Sequence, residues 1–395
     1  MPVNPGNLPR KYPISQRSQQ LSPSGIRRFF DLLASTEGVI SLGVGEPDFA
    51  TPWHISEAAV RSLEKGYTMY TSNFGMPELR QELAKYLENS YGLKYDPDGE
   101  LLITVGSSEA LDLSMRAILN PGDEVITTDP CYVAYDSCVT LAGGTPVKVA
   151  TYQENNFEIN AADVEACITP ETKALLIGYP ANPTGAVMSQ EKLLPIARIV
   201  QHRRLLVISD EIYSKLVYNG KHTCFAALPG MKESTILING FSKAYAMTGW
   251  RIGYVAAPRE IIAAMAKIHQ YTIMSAPTMA QVAATEALKS GEESVADMVE
   301  DYNRRRRLIV KGLNEIGLSC FEPRGAFYAF PSIKRTGLTS EEFAERLLTE
   351  EKVAIVPGSA FGQCGEGYVR CCYATSLAEI EEALSRMKRF VDRLS

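Results

Sequence analysis

A lysine that directly follows an apolar run is the first candidate for chemistry. Residues 236–254 read ILINGFSKAYAMTGWRIGY, and Lys243 comes just after an apolar segment that ends at residues 240–242. Because burial opposes a positive charge, the amine of such a lysine is partly neutral. A neutral amine is a nucleophile toward an aldehyde, so Lys243 is predicted to act covalently. The alternative is a lysine with a buried stem whose ammonium group reaches water.

A carboxylate and a tyrosine follow a second apolar run. Residues 204–218 read RLLVISDEIYSKLVY, which predicts a strand with Asp210 at its carboxyl end and Tyr213 three residues later. An unpaired buried carboxylate is heavily penalised, and a pyridinium nitrogen would be a suitable partner. A protonated pyridine ring withdraws electrons from a carbanion. The alternative is that Asp210 only caps a helix.

Three more segments could bind charged or polar groups. In LITVGSSEA (102–110), Ser107 and Ser108 open a helix, where free N–H groups and hydroxyls suit a phosphate, although serine also starts helices without a ligand. In YPANPTGA (179–186), the turn holds Asn182 beyond a strand, which turn formation alone also explains. In GEGYVRCCYA (365–374), the guanidinium of Arg370 suits a substrate carboxylate, with a structural ion pair as the alternative.

The elements that must position these residues follow an α/β pattern. From about residue 100 onward, short β-rich runs alternate with longer amphipathic stretches. The strands are nearly all apolar, which is typical of a parallel sheet covered on both faces, and such sheets bind ligands at their carboxyl ends. Around Ser290 a long charged helical pattern begins, and we place a domain boundary there. Its arginines at 304–307 point in all directions on a helix and are predicted as a solvated or salt-bridged surface.

Composition excludes several classes of function. The 395 residues carry a net charge of -6, so no basic field for nucleic acid or an anionic membrane is expected. The eight cysteines show no CxxC pair, and neither HExxH nor GxSxG occurs, so no metal site and no hydrolase is predicted. The first thirty residues lack an apolar signal core, and no run approaches the ~20 apolar residues of a membrane span. A cytoplasmic protein is therefore expected.

Eight windows in order resemble the class I aminotransferases of the aspartate aminotransferase superfamily, which are fold type I enzymes that use pyridoxal 5'-phosphate (PLP). The likeness covers nearly the whole chain and is nearest to bacterial aspartate, aromatic and N-acetyl-diaminopimelate aminotransferases. The windows are ISLGVGEPDFATP (40–52), YTSNFGMPELR (70–80), TVGSSEAL (104–111), NPGDEVITTDPCYVAY (120–135), ANPTGA (181–186), SDEIY (209–213), SKAYAMTGWRIGY (242–254) and VPGSAFG (356–362) with YVR (368–370).

The resemblance implies a role for each candidate at the cofactor. Lys243 would hold PLP as a Schiff base and then move a proton from the substrate Cα, Asp210 would face the pyridine nitrogen, and Tyr213 with Asn182 would face the phenolic oxygen. Tyr132 would stack on the ring, where many relatives carry tryptophan. The phosphate would be bound by four residues, which are Ser107, Ser108, Ser242 and Arg251.

The resemblance also implies how substrate and subunits are arranged. Arg370 would bind the α-carboxylate, together with Asn182 and with the backbone at Gly45, which allows a close approach. Tyr70 matches a tyrosine that reaches the phosphate of the neighbouring subunit, which implies a homodimer. An amino acid (aspartate-like, aromatic or related) and a 2-oxo acid, with 2-oxoglutarate as the expected acceptor, would react in ping-pong order.

The expected fold is a large PLP-binding domain at 51–288 with a mainly parallel seven-stranded sheet. A smaller α+β domain would combine residues 1–50 with residues 289–395. A PLP-dependent carbon-sulfur β-lyase of the same superfamily is the nearest alternative function. A non-catalytic regulator that uses this fold to sense the cofactor is disfavoured, because the ~30 residues before the likeness leave no room for the DNA-binding module that such proteins carry. An NAD-binding oxidoreductase is remote, because GVGEPD (43–48) has Asp48 at the third glycine position and Pro47 where a helix should run.

Overall fold

The computed structural model describes residues 12–21 and 38–394. Its α-helices are α1 (Gln16–Gln20), α2 (Trp53–Glu64), α3 (Pro77–Tyr91), α4 (Gly106–Ile118), α5 (Ala134–Ala142), α6 (Ala161–Ala166), α7 (Gln190–Arg203), α8 (Arg259–Thr272), α9 (Thr278–Ser290), α10 (Glu292–Glu315), α11 (Ser340–Glu351) and α12 (Leu377–Asp392). Its strands are β1 (Ile40–Ser41), β2 (Leu101–Thr104), β3 (Glu124–Asp129), β4 (Thr145–Ala150), β5 (Thr172–Gly178), β6 (Leu206–Asp210), β7 (Thr235–Gly240), β8 (Gly253–Ala256), β9 (Tyr328–Ala329), β10 (Val353–Ala354), β11 (Val356–Pro357) and β12 (Val369–Cys372).

Seven strands form one sheet in the order β2-β8-β7-β6-β5-β3-β4. Strand β8 is antiparallel to both of its neighbours, and the other pairs are parallel. The carboxyl ends of the six parallel strands and the amino end of β8 therefore lie at the same edge of the sheet. This arrangement confirms the predicted mainly parallel seven-stranded sheet.

The sheet is apolar on both faces because helices cover both. Along β5, Ala174 and Leu176 pack into one hydrophobic cluster, whereas Leu175 and Ile177 pack into another. All four side chains are buried, and full burial of a leucine or isoleucine side chain contributes about 1.5–3 kcal/mol. The near-continuous apolar runs in the sequence thus reflect burial on both sides.

Strands from distant parts of the chain meet outside this sheet. Strand β1 pairs in parallel with β10, and β11, β12 and β9 form a separate antiparallel sheet. The predicted division into 1–50, 51–288 and 289–395 stays a prediction, and most of its first segment lies outside the described residues. Of the described helices, none has the length and apolar character needed to cross a bilayer.

The arginines of α10 differ from the expectation of a solvated surface. Arg304 is exposed beside Asp301, but Arg305 and Arg306 are buried. Arg305 pairs with Asp48 at 2.7 Å, and Arg306 pairs with a glutamate at 2.6 Å. The prediction of salt bridges was correct and that of solvation was wrong for these two, because α10 packs one face against the rest of the protein.

Candidate active site

A cavity of about 450 Å³ opens at the carboxyl edge of the seven-stranded sheet. Eleven of the twelve predicted site residues line it, and the exception is Tyr70. The eleven are Gly45, Ser107, Ser108, Tyr132, Asn182, Asp210, Tyr213, Ser242, Lys243, Arg251 and Arg370. Eight of them lie at the ends of β2, β3, β5, β6 and β7 or follow these strands, which all end at this edge, and Arg251 lies two residues before β8. Gly45 and Arg370 come from outside this sheet, after β1 and within β12.

Lys243 projects into the cavity from the turn that follows β7. Its Nζ donates a hydrogen bond of 2.7 Å to the carbonyl oxygen of Gly45. Burial, which disfavours the charged form, lowers the pKa of Lys243 to about 8. No carboxylate of the described residues forms a salt bridge with it. The amine therefore points inward, contrary to the alternative of a lysine that extends into bulk water.

We expect the lowered pKa of Lys243 to appear as amine reactivity in the protein without cofactor. At pH 8 about half of the Lys243 amines would be neutral, against under about 1% for an unperturbed lysine. The rate of reductive methylation of Lys243, measured by mass spectrometry between pH 6 and 10, should show a midpoint near pH 8. Nα-acetyl-lysine, whose ε-amine is free, is the reference. A rate that follows the reference up to pH 10 would contradict the assignment.

Asp210 ends β6 and faces the cavity without a cationic partner among the described residues. Its Oδ2 accepts a hydrogen bond of 2.9 Å from the hydroxyl of Tyr135, and its Oδ1 accepts one of 3.3 Å from the backbone N–H of Ile212. Burial raises the pKa of Asp210 to about 6 despite these donors. No α-helix begins at this residue, so the helix-cap alternative is wrong. A cationic ligand nitrogen would relieve the penalty.

The start of α4 has the groups that an anion site requires. Ser107 and Ser108 lie in its first turn, and neither caps the helix nor donates a hydrogen bond within the described residues. Gly106 has φ +73°, and a Cβ there would lie 2.8 Å from Nη2 of Arg251. Arg251 itself has φ +53°, an unfavourable conformation for arginine, and is held by the carbonyl of Thr248 at 3.0 Å. Strain kept beside free N–H groups is typical of a binding site.

Arg370 is a buried guanidinium whose partners are all uncharged. It donates to Oδ1 of Asn182 at 2.9 Å and to the carbonyl of Gly43 at 2.7 Å. Its centre lies 4.5 Å from the ring of Tyr328 and 4.9 Å from that of Phe361. Its Nε has no hydrogen-bond partner, and no carboxylate of the described residues pairs with it. The alternative of a structural ion pair is therefore wrong, and an anionic ligand would complete the site.

Two tyrosines in the cavity wall were not singled out from the sequence. Tyr135 donates to Asp210, and Tyr328 forms a hydroxyl contact of 2.6 Å with Tyr213. Tyr328 also occupies the space that a Cβ at Gly45 would need. The available signal was weak: each is a tyrosine in an apolar segment, where a buried hydroxyl requires a partner.

Tyr70 lies outside the cavity and is 83% exposed. It belongs to a group of exposed side chains that we call the aromatic patch, which comprises Tyr67, Met69, Tyr70, Tyr271, Ile273 and Met274. The two segments of the patch are neighbours, since Thr278 Oγ1 donates to the Met69 carbonyl at 2.7 Å and Asn73 Nδ2 donates to Gln270 Oε1 at 3.5 Å. Exposed apolar side chains on neighbouring segments are typical of a protein interface.

The cavity fits PLP on the chemistry of its donors. An amine with a lowered pKa suits the aldehyde, and an unpaired carboxylate suits the ring nitrogen. The helix start with two free hydroxyls and a guanidinium suits the phosphate. A second guanidinium, Arg370, remains for the carboxylate of a substrate.

The chain is similar over nearly its whole length to known aminotransferases. The family model "Aminotransferase class I and II" matches residues 37–387. The putative aminotransferase YugH of Bacillus subtilis is 59% identical over 380 residues, which are 96% of this chain and 98% of that protein. An aspartate aminotransferase of Pyrococcus abyssi is 48% identical, over 95% of this chain and 97% of its own. The crystal structure of an aromatic aminotransferase from Pyrococcus horikoshii has a TM-score of 0.89 at 46% identity, and the match covers 93% and 100% of the chains.

The fold and these likenesses define a fold type I transferase that depends on PLP. The chain belongs to the class I and II aminotransferase family, and it is a PLP-dependent aminotransferase. The predictions of fold class, enzyme class and cofactor are confirmed. The oxidoreductase alternative is wrong, because residues 43–48 form no strand-to-helix turn and the next helix begins only at Trp53.

Proposed function

We propose that the enzyme transfers an amino group from an aspartate-like, aromatic or related L-amino acid to a 2-oxo acid, with 2-oxoglutarate as acceptor, in ping-pong order. The observation that carries this proposal is the buried guanidinium of Arg370, which has no carboxylate partner among the described residues and lies in the same cavity as Lys243 and Asp210. We further propose that it works in the cytoplasm, since none of its eight cysteines forms a disulfide.

When bound, PLP supplies an aldehyde for the substrate amine and a protonated ring that withdraws electrons from the substrate Cα. Lys243 would first tether the group and, once displaced, remove the proton from Cα. Its lowered pKa leaves much of the amine neutral near pH 8, as a general base requires. Asp210, paired with the ring nitrogen, would keep that nitrogen protonated. Tyr213 and Asn182 would face the phenolic oxygen, and Tyr132 would stack on the ring.

Arg370 would orient the substrate. Its guanidinium is fixed between Tyr328 and Phe361 and by Asn182, so little side-chain freedom remains to be lost when a carboxylate binds. A carboxylate held there, with the Gly45 backbone beside it, places Cα near Lys243, whose Nζ already contacts Gly45. Orientation of this kind can lower a barrier by several kcal/mol. Ser107, Ser108, Ser242 and Arg251 would bind the phosphate.

We propose that two chains form a homodimer in which each contributes to the other's site. The support is the aromatic patch, whose Tyr70 is too exposed to serve the cavity of its own chain. Burial of this patch against a second copy would bring the Tyr70 hydroxyl to the partner's phosphate site. A monomer would then be incomplete.

Mixed dimers test this arrangement. Tyr70→Ala alone should weaken PLP binding about tenfold, because one hydrogen bond to a charged group is lost. A heterodimer of one Lys243→Ala and one Tyr70→Ala subunit, isolated through two affinity tags, carries one site in which neither change is present. At a PLP concentration that loads the wild-type dimer but leaves the Tyr70→Ala homodimer mostly empty, its turnover should be roughly half that of the wild-type dimer. A heterodimer no more active than the mean of the two variant homodimers would show that Tyr70 does not act across the interface.

A single-turnover experiment tests amino transfer against carbon-sulfur lysis. The holoenzyme mixed with an amino acid in the absence of any oxo acid should yield one equivalent of 2-oxo acid per site, retain the nitrogen on the protein, and release it when 2-oxoglutarate is added. Aspartate, phenylalanine and tyrosine are compared as donors. Catalytic release of ammonia and pyruvate from cystathionine, without nitrogen retention, would favour the lyase.

A further inference from the structure

A buried polar pair lies behind the start of α4 and is not used in the proposed chemistry. His269 of α8 is fully buried, and the side chain of Glu109 is 10% exposed. Nδ1 of His269 is 2.7 Å from Oε1 of Glu109. Nε2 of His269 has no hydrogen-bond partner within the described residues.

The second oxygen of this carboxylate reaches back to the backbone. Oε2 of Glu109 accepts a hydrogen bond of 2.6 Å from the N–H of Val105, the residue that immediately precedes α4. The carboxylate therefore closes a loop across residues 105–109, which includes Ser107 and Ser108. Within the described residues, no other side chain accepts a hydrogen bond from the backbone N–H groups of this helix start. Glu109 thus ties the residue before the helix to its first turn, and Thr104 adds a second contact, from its Oγ1 to the carbonyl of Gly106 at 3.0 Å.

The position of His269 is unusual for its helix face. The buried stripe of α8 otherwise consists of Ile262, Met265 and Ala266, and His269 continues it four residues after Met265. His269 buries its Nε2 without a hydrogen-bond partner among the described residues, which is unfavourable. An apolar residue at this position would avoid that cost. Helices α4 and α8 pack together, so the ring is held against Glu109 by the helix interface.

We propose that Glu109 and His269 are positioning residues for the cofactor phosphate. His269 holds the Glu109 carboxylate, and that carboxylate fixes residues 105–108 so that the hydroxyls and backbone N–H groups of the helix start converge on one point. Neither residue lines the cavity, so they act through the segment and not on the ligand directly. This inference rests on the proposed function, in which Ser107 and Ser108 bind the phosphate.

The test compares two ligands that differ only in the phosphate. Apoprotein is titrated with PLP and with pyridoxal by absorbance. The readout is the affinity for PLP divided by the affinity for pyridoxal, which is called the ratio below. A change that only destabilises the fold affects both ligands alike and leaves the ratio unchanged. Glu109→Ala should lower the ratio about tenfold, because the hydrogen bond to Val105 is lost. Glu109→Gln keeps an acceptor for Val105 and should restore the ratio to within about twofold of wild type.

Two further variants test whether the pair acts as a unit. His269→Leu should lower the ratio about threefold, and the Glu109→Ala, His269→Leu double variant should fall no further than Glu109→Ala alone. Ser114→Ala, which removes a buried hydroxyl from the same helix beyond the segment, is the control and should leave the ratio unchanged.

A Ser107→Ala, Ser108→Ala double variant separates the two proposals. If it lowers the ratio while Glu109→Ala does not, the positioning role is overturned and the phosphate site stands. If it leaves the ratio unchanged, the phosphate site is wrong and the positioning role falls with it. A lowered ratio in both, with rescue by Glu109→Gln, supports the inference.

Discussion

The Lys243→Ala variant should lose turnover by on the order of 10⁴-fold or more, together with the absorbance of covalently held PLP. Both losses have one cause, because alanine offers neither the nucleophilic amine nor a base beside the substrate Cα. Cofactor retained by dialysis, the absorption spectrum and steady-state rates with a good donor measure the effect.

Lys215→Ala is the matched control for that variant. Lys215 is also largely buried, with 15% of its side chain exposed, but it pairs with Glu292 away from the cavity. Its loss should leave turnover within about threefold of wild type. If Lys243→Ala transaminated at a rate near that of Lys215→Ala, the role of Lys243 would have to be abandoned.

Asp210→Asn should bind PLP but transaminate on the order of 10³-fold more slowly. The amide cannot keep the ring nitrogen protonated, so charge that develops at Cα loses its main stabilisation. Tyr135→Phe removes only the hydrogen bond to this carboxylate and should slow the reaction by about tenfold or less. Equal rates for Asp210→Asn and Tyr135→Phe would argue against a pairing of Asp210 with the ring.

Asp210→Asn should also stabilise the protein without cofactor. The pKa of Asp210 is raised in the folded chain from 3.8 to about 6, so the folded state binds more protons than the unfolded state between these values. The folded state is therefore penalised as pH rises through this range, and the penalty is complete above about pH 6. Relative to wild type, Asp210→Asn should gain about 2–3 kcal/mol in unfolding free energy at pH 7.5 and little at pH 4.

Urea unfolding of both apoproteins at one protein concentration measures this difference. A gain in unfolding free energy that is equal at pH 4 and pH 7.5 would show that burial of the ionised Asp210 carboxylate does not destabilise the folded state. A gain confined to neutral pH, together with lost turnover, would show that Asp210 is maintained for catalysis at the expense of stability.

Residues at strand ends were predictable because their chemistry conflicts with their surroundings. Lys243 and Asp210 follow apolar runs in which a charge is costly, and Arg370 stands inside another such run. Since ligands bind at the carboxyl ends of parallel strands, Lys243 and Asp210 were expected at one site, and the resemblance added Arg370. Eleven of the twelve candidates do line one cavity. Their individual roles stay predictions until the variants are measured.

Residues that act through tertiary contacts were not predictable. Tyr328 and Tyr135 read as ordinary core aromatics, and their hydroxyl partners are far away in the sequence. His269 lies 160 residues from Glu109, so no local pattern joins them. Arg305 and Arg306 were predicted to lie at the surface, because their burial depends on how α10 packs against the rest of the protein. Spacing reports local periodicity, whereas these contacts depend on the assembled fold.

The pairing of β1 with β10 has a consequence for synthesis on the ribosome. Ile40 lies beside Val353, and Leu42 donates to the carbonyl of Ala354 and accepts from the N–H of Cys372. At about 5–20 residues per second, translation takes roughly 15–60 s to cover the interval from residue 40 to its partner strand. All seven strands of the large sheet emerge during this interval, while β1 lacks the strand with which it pairs. Nascent chains should therefore present this segment to chaperones until translation is almost finished.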